Sequence, residues 1–392
     1  MEFKLRSLVM TVYFPAFLCS MCIGMLAPTI PAKVDIIGGT AFIIGLAVGA
    51  RGLGEAVFAI PTGYIINKIG NKKVMLVGMV GISISSLIAG LSQNNINMYI
   101  SLLFLGIFYG FFSLSRHSFM TQLVPTPKRG KAFSRFGGIN RIGWFCGPVI
   151  GGFTAGILGI DIPFFLVSIV SLLTGLIVFF NQDPKIPENN EIYTQNKPEN
   201  LLKNLSQSKY SITFAGSAHF IMQFLREARH VIIPIFAFQI GLSVEELGLI
   251  QSLSAAVDMS LFYPVGIIMD RFGRKWTSVP SMFLLSAGFF LMPISSSFIT
   301  LSMAGVLLGL ANGLGSGAML TLGSDLAPKK NPSSFLGTWR LIGWSGNSAG
   351  GPTSGAISQL FSLNIATLTV GIIGILGSGI FLLMIPETLT KD

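Results

Sequence analysis

"GIIMDRFGRKW", Gly266 to Trp276, closes a long apolar run with one aspartate, three cationic side chains and two glycines. The chain writes nearly the same phrase 203 positions earlier, as "GYIINKIGNKK" from Gly63 to Lys73, with Asn67 where the later copy has Asp270. A short cationic turn between apolar runs, written twice at a fixed interval, predicts a duplicated set of membrane helices whose matching turns face the same aqueous side.

Composition supports that reading. Of 392 residues, 51% are hydrophobic, 11% are charged and 46 are glycine. A soluble chain would carry about 25% charged residues. The apolar runs are about 20 residues long, enough to cross ~30 Å of hydrocarbon as helix. Alternating strand patterns are absent, so the spans are helices and not strands of a barrel. They are expected near 8–30, 40–66, 74–92, 98–123, 133–159 and 162–180, then near 210–238, 247–269, 277–296, 298–324, 333–360 and 365–386. The intervening 181–208 is rich in Asn, Lys, Glu and Pro and has no apolar period, which predicts a cytoplasmic linker. The expected organisation is an all-α membrane protein, with one six-helix bundle over 1–180 and another over 209–392.

The net charge of +10 does not point to nucleic acid. Lys68, Lys72, Lys73, Lys128, Arg129, Lys131, Arg135, Arg271, Arg274, Lys275, Lys329 and Lys330 fall in alternate short loops, and Lys33 is the exception in the others. That bias marks the cation-rich loops as cytoplasmic and leaves no basic stripe for a nucleic acid. An even number of spans then puts both termini in the cytoplasm, in keeping with Lys4, Arg6 and Lys391. The first apolar run follows a cationic start but continues without a small-residue cleavage site, so it reads as an uncleaved helix. Cys19, Cys22 and Cys146 sit in apolar helices without histidine neighbours, as packing residues do, and no metal or cofactor is expected.

The halves match in register beyond the opening phrase. Pro31 pairs with Pro234, Glu55 with Asp258, Gly106 with Gly309, Gly110 with Gly313 and Pro125 with Pro328, all 203 apart. "RIGW" at Arg141 recurs as "RLIGW" at Arg340, and "GPVIG" at Gly147 as "GPTSG" at Gly351. Here the chain resembles a known family. "GIIMDRFGRK" is similar to the signature between helices 2 and 3, and 8 and 9, of the major facilitator superfamily. "GWFCGPVIGG", with Gly143, Gly147, Pro148, Gly151 and Gly152, resembles the helix 5 motif of its drug:proton antiporter branch, although Ser134 stands at that motif's upstream glycine. The resemblance covers the whole chain and implies alternating access by two bundles around a mid-membrane site.

Each piece of the repeated phrase has a physical task. Gly63 and Gly266 are small enough for close helix approach, and Gly70 and Gly273 permit a tight reversal. Lys68, Lys72, Lys73, Arg271, Arg274 and Lys275 suit an anionic lipid surface. Asp270 can accept hydrogen bonds from a helix N-terminus, and the family resemblance implies helix 5, beginning near Phe133, as its partner in a cytoplasmic gate. Asn67 lacks that charge, and Gln122 likewise replaces Asp325. Either the first latch is weaker than the second, or the changes are neutral drift in a structural loop.

Ionisable residues at membrane depth need a partner or a task. Glu55 and Asp258 lie eight residues before their signature glycines, about 12 Å along each helix. Arg141 and Arg340 reach a similar depth. With the family's helix adjacency, this predicts the pairs Glu55 with Arg340 and Asp258 with Arg141. Arg51, one turn from Glu55, offers a local alternative. A carboxylate whose arginine leaves on opening would gain proton affinity and so couple protons to transport. In helix 7, Arg226, Glu227, Arg229 and His230 form either an outer-gate network or an attraction for an anionic or carbonyl-bearing substrate. His219, Gln223, Tyr109 and Asn312 are cavity candidates, and Arg116 either snorkels to the cytoplasmic surface or faces the inner cavity.

No nucleotide-binding "GxxxxGK[ST]" loop is present, so the energy source is an ion or substrate gradient. The expected protein is not an enzyme but a secondary transporter in the cell membrane. It would export small amphipathic compounds with protons as coupling ion and work as a monomer. The rivals are an importer or facilitator of a sugar, organic acid or nucleoside, and a transporter-like sensor without net flux.

Overall fold

The computed structural model describes residues 8–124, 126–181, 210–328 and 332–389, with no side chains for 126–131 and 332–334. The linker expected at 181–208 therefore lies almost wholly outside the described residues. So do Lys4, Arg6, Pro125 and Lys391 and the side chains of Lys128, Arg129, Lys131, Lys329 and Lys330.

The described chain is helical. In the first half the helices are α1 (Phe14–Ile36, entered by a π-helical turn Val9–Tyr13), α2 (Ala41–Ile69), α3 (Asn71–Leu91), α4 (Asn95–Leu123), α5 (Thr126–Leu158) and α6 (Ile162–Phe180). The second half has α7 (Gly216–Gln239, entered by a π-helical turn Ser211–Ala215), α8 (Val244–Phe272), α9 (Lys275–Leu291), α10 (Phe298–Leu314, resuming as Ala318–Leu326), α11 (Pro332–Leu360) and α12 (Leu363–Met384). Among the described residues, ten of these helices are both long and apolar enough to cross a membrane. The exceptions are α7 and α11. In α7, Arg226, Glu227 and Arg229 fall mid-helix, and in α11 Gly, Ser, Asn and Trp dilute the apolar residues.

Local chemistry sets the helix ends. Asn94, Ser297 and Ser362 cap α4, α10 and α12, each accepting a backbone N–H three residues on. Ser243 and Glu246 do the same reciprocally at α8. Such caps satisfy N–H groups that have no partner inside the helix. The signature turns instead rely on Gly70 and Gly273, at φ +88° and +105°, a region glycine enters freely. Among the boundaries that shift from the sequence reading, two have a clear physical reason. α1 runs through Pro28 and Pro31 to Ile36, since neighbouring helices can tolerate proline inside a membrane helix. α5 starts at Thr126 because a polar, cationic turn precedes its apolar part.

Two compact units form. The first comprises Met1–Gly39, Ala50–Tyr193 and Ser243–Ser252, and the second Thr40–Gly49, Thr194–Leu242 and Leu253–Asp392. In the first, α1 packs on α5 and α6, and α3 on α4 and α6. In the second, α7 packs on α11 and α12, and α9 on α10 and α12. These are the same contacts six helices on, as the sequence repeat requires. Met79, Ile82, Leu102 and Phe164 fill the first interior, and Leu225, Met282, Phe289 and Phe381 the second. Hydroxyls add polar contacts between helices: Ser86 donates to the Phe164 carbonyl at 2.9 Å and Ser281 to the Ala311 carbonyl at 2.6 Å.

Candidate functional site

The signature turn of the second half is held by side chains from three directions. Arg274 Nε donates to Asp325 Oδ2 at 2.8 Å, and Arg274 Nη1 donates to the Met269 carbonyl at 3.0 Å. Lys275 Nζ donates to the Leu382 carbonyl, at 2.8 Å, near the end of α12. Glu387, just beyond α12, accepts the backbone N–H of Arg274 at 2.9 Å and of Lys275 at 3.0 Å, capping α9 from a distant segment. Thr388 Oγ1 donates to the same Asp325 oxygen at 2.7 Å. Partial burial pushes the Glu387 carboxyl up, but N–H donors from Arg274, Lys275, Leu389 and Thr388 outweigh it and hold the group below its ordinary value.

The first half repeats this frame without charge. Asn71 Nδ2 donates to Gln122 Oε1 at 3.1 Å, at the positions that match Arg274 and Asp325. Lys72 Nζ donates to the Asn181 carbonyl at 2.7 Å, as Lys275 does at α12. Arg274, Lys275 and Lys72 thus tie helices together where the sequence suggested lipid anchoring. Lys68, Lys73, Asp270, Arg271 and Asn67 lie at the same turns, with Asn67, Asp270 and Arg271 exposed. Among the described residues, a methyl at Gly63 or Gly266 would meet no atom within 4 Å. Close helix approach is seen at Gly106 and Gly309, where an added methyl would run into the carbonyls of Arg51 and Ser254.

The helix 5 motif is two-sided within the first unit. Gly143, Gly147 and Gly151 abut α1 at Phe17, Met21, Gly24 and Met25, whereas Pro148 and Gly152 abut Val244 and Gly248 at the start of α8. Four-residue spacing puts the first three on one helix face. α11 follows the same plan in the second unit, with Gly346 and Gly350 against Phe220 and Phe224 of α7, and Gly351 and Gly355 against Gly45 and Ala41 of α2.

Each unit gathers a polar cluster on its first, second and fourth helices. In the second unit, Asn312 Nδ2 on α10 donates to Asp258 Oδ1 on α8 at 3.0 Å. Arg229 lies within electrostatic reach of Asp258 and of Glu227, which is 7% exposed. One turn earlier, Arg226 donates to Gln223 Oε1 at 3.1 Å and to the Gly315 carbonyl at 2.9 Å. That carbonyl lies at the interruption of α10, where Gly317 has φ +75°. Arg226 therefore supplies a donor where the helix cannot, which accounts for a guanidinium at membrane depth. His219 stacks on Trp339 at 4.6 Å and is buried.

In the first unit, Arg51 lies 5.9 Å from the ring of Tyr109, and Glu55, Arg116, Arg51 and Cys19 share the electrostatic surroundings of Tyr109. Arg116 does not snorkel: it is 4% exposed, with Phe112 and Phe136 at 4.7 and 4.4 Å. Arg141 is half-buried on α5, and Arg340 is exposed on α11. Glu55 and Arg141 belong to the first unit, Asp258 and Arg340 to the second. Lys33, the cation outside the charge pattern, is buried against Asp161 at 2.6 Å and the Gly90 carbonyl, so it does not break the rule as a free charge would. Among the described residues no group of three His, Cys, Asp or Glu could hold a metal ion.

The family model described as Major Facilitator Superfamily matches residues 12–227 and 215–392. The chain belongs to the Major Facilitator Superfamily. It is thus a multi-pass membrane transporter and not an enzyme. Among members of the superfamily, it is 24% identical to Multidrug resistance protein 2 of Bacillus subtilis over 93% of this chain and 92% of that one. It is 26% identical to the multi-drug resistance efflux pump PmrA of Streptococcus pneumoniae, over 89% of this chain and 88% of the other. A crystal structure of a POT family transporter in complex with a thioalcohol conjugated peptide superposes with a TM-score of 0.81 at 13% identity, covering 98% and 97% of the two chains, and attests the fold.

Sequence reasoning missed Glu387, Thr388 and Asn71. Asn71 was legible, as the position matching Arg274 at the 203-residue interval. Glu387 gave no such signal, because the α9 groups it caps are backbone N–H groups more than 100 positions away.

Proposed function

We propose that this chain exports small amphipathic compounds in exchange for protons, by alternating access between two six-helix bundles with cytoplasmic termini. The observation that carries the proposal is the Asp258 carboxylate. It sits at membrane depth, accepts a hydrogen bond from Asn312 at 3.0 Å and shares its field with Arg229. An acid held between an amide donor and a guanidinium loses a stabilising partner when either moves, which ties its charge to the change of access. The names of the two bacterial relatives support export as the direction.

In this reading the signature turns are the cytoplasmic gate, with the charged latch at Asp270 the stronger and the neutral one at Asn67 the weaker. The decisive experiment uses proteoliposomes under an imposed pH step, comparing wild type with Asp258→Asn. The variant should still bind substrate but lose uphill flux. Unimpaired uphill flux in the variant would remove Asp258 from the mechanism, and substrate movement in the same direction as protons would replace antiport by symport.

A further inference from the structure

The positive charge at membrane depth is unevenly satisfied. Arg226 is spent on Gln223 and the interrupted α10, and Arg229 faces two acids. In the first unit, Arg51, Arg116 and Arg141 stand at membrane depth with Glu55 as the acid among them. Arg116 leaves two donors, Nε and Nη1, buried without a hydrogen-bond partner. Leaving a buried charge unpaired is costly. The duplicated fold does not demand it, because the matching position 203 residues later is Met319, also buried.

The surroundings define what would satisfy it. The guanidinium carbon lies over the rings of Phe112 and Phe136 at 4.7 and 4.4 Å, an apolar surrounding in which its N–H groups are the polar edge. In-plane N–H groups are the ones that take a carboxylate, sulfonate or phosphate oxygen. Phe136 is only half-buried, so it can move without dismantling the unit's interior. We propose that Arg116 is a substrate-binding residue and that the substrate class is a planar, aromatic organic anion. The anionic group meets the Arg116 N–H groups and the apolar body lies along the half-buried Phe136. This rests on the transport reading above and names its substrate class.

The test uses the purified full chain in detergent micelles and isothermal titration with three isosteric probes: 2-naphthoate, 2-naphthamide and 2-naphthylmethylammonium. Naphthoate should bind at least about tenfold tighter than the other two. Arg116→Gln should erase that preference, and Arg116→Lys should keep part of it. Without ligand, Arg116→Gln should melt no lower than wild type, and naphthoate should raise the melting temperature of wild type but not of the Gln variant. The proposal is overturned if naphthoate fails to bind, if the neutral or cationic probe binds as tightly, or if the Gln variant is the less stable protein. Binding is read without a gradient. Naphthoate binding without uphill flux of any compound would refute the transport reading and leave the site, whereas proton-driven flux with no preference for the anion would do the reverse.

Discussion

Arg274 and Asp325 form a 2.8 Å ion pair, and Asn71 and Gln122, 203 positions earlier, hold the same places with an amide hydrogen bond of 3.1 Å. The duplicated frame is thus kept while its charge is removed from one copy. The Arg274 and Asp325 side chains are 12% and 23% exposed, so the pair is partly shielded and worth about 1 kcal/mol. Asp325→Asn should lower the thermal midpoint and slow transport more than Gln122→Ala does. Installing Asn71→Arg with Gln122→Asp should give a favourable coupling of about 0.5–1 kcal/mol in a double-mutant cycle. Additive single effects would argue against a shared geometry.

Glu387 predicts an acid-side loss of stability. Its folded-state pKa is depressed, so its contribution is complete above the ordinary glutamate value of about 4.3 and disappears as pH falls through the lower folded value. Melting curves of wild type and Glu387→Gln should differ at pH 7 and converge under acid. A constant gap across the pH series would show that the carboxylate charge is not what holds the α9 cap.

Lys33 and Asp161 should respond unequally to mutation, because Lys33 is 2% exposed and Asp161 43%. Removing Asp161 strands a buried ammonium, whereas removing Lys33 leaves a carboxylate that water can reach. Asp161→Asn is expected to cost about 2–3 kcal/mol and Lys33→Met about 1. Chemical denaturation in detergent checks the order, and equal costs would contradict the asymmetric burial.

Glycine replacements separate packing from loop geometry. Gly106→Ala and Gly309→Ala push a methyl into a neighbouring helix backbone and should each cost about 1–3 kcal/mol. Gly63→Ala and Gly266→Ala meet no atom among the described residues and should be nearly silent. Thermal stability of the four variants, measured side by side, tests the ranking.

The sequence alone determined the helical membrane class, the interval of 203 residues and the missing charges at Asn67 and Gln122, because hydropathy and repetition are properties of the string. It also singled out Asp258 as an acid at membrane depth and Asn312 as a cavity candidate, though not that one donates to the other. What Arg116, Arg226 and Lys33 do was decided by tertiary structure. An arginine on an apolar helix has the same one-dimensional signature whether it meets two phenyl rings, an interrupted helix or a carboxylate. Glu387 makes the same point from outside the membrane: its partners are backbone N–H groups, which every residue except proline carries, so only the folded chain could reveal which of them it caps.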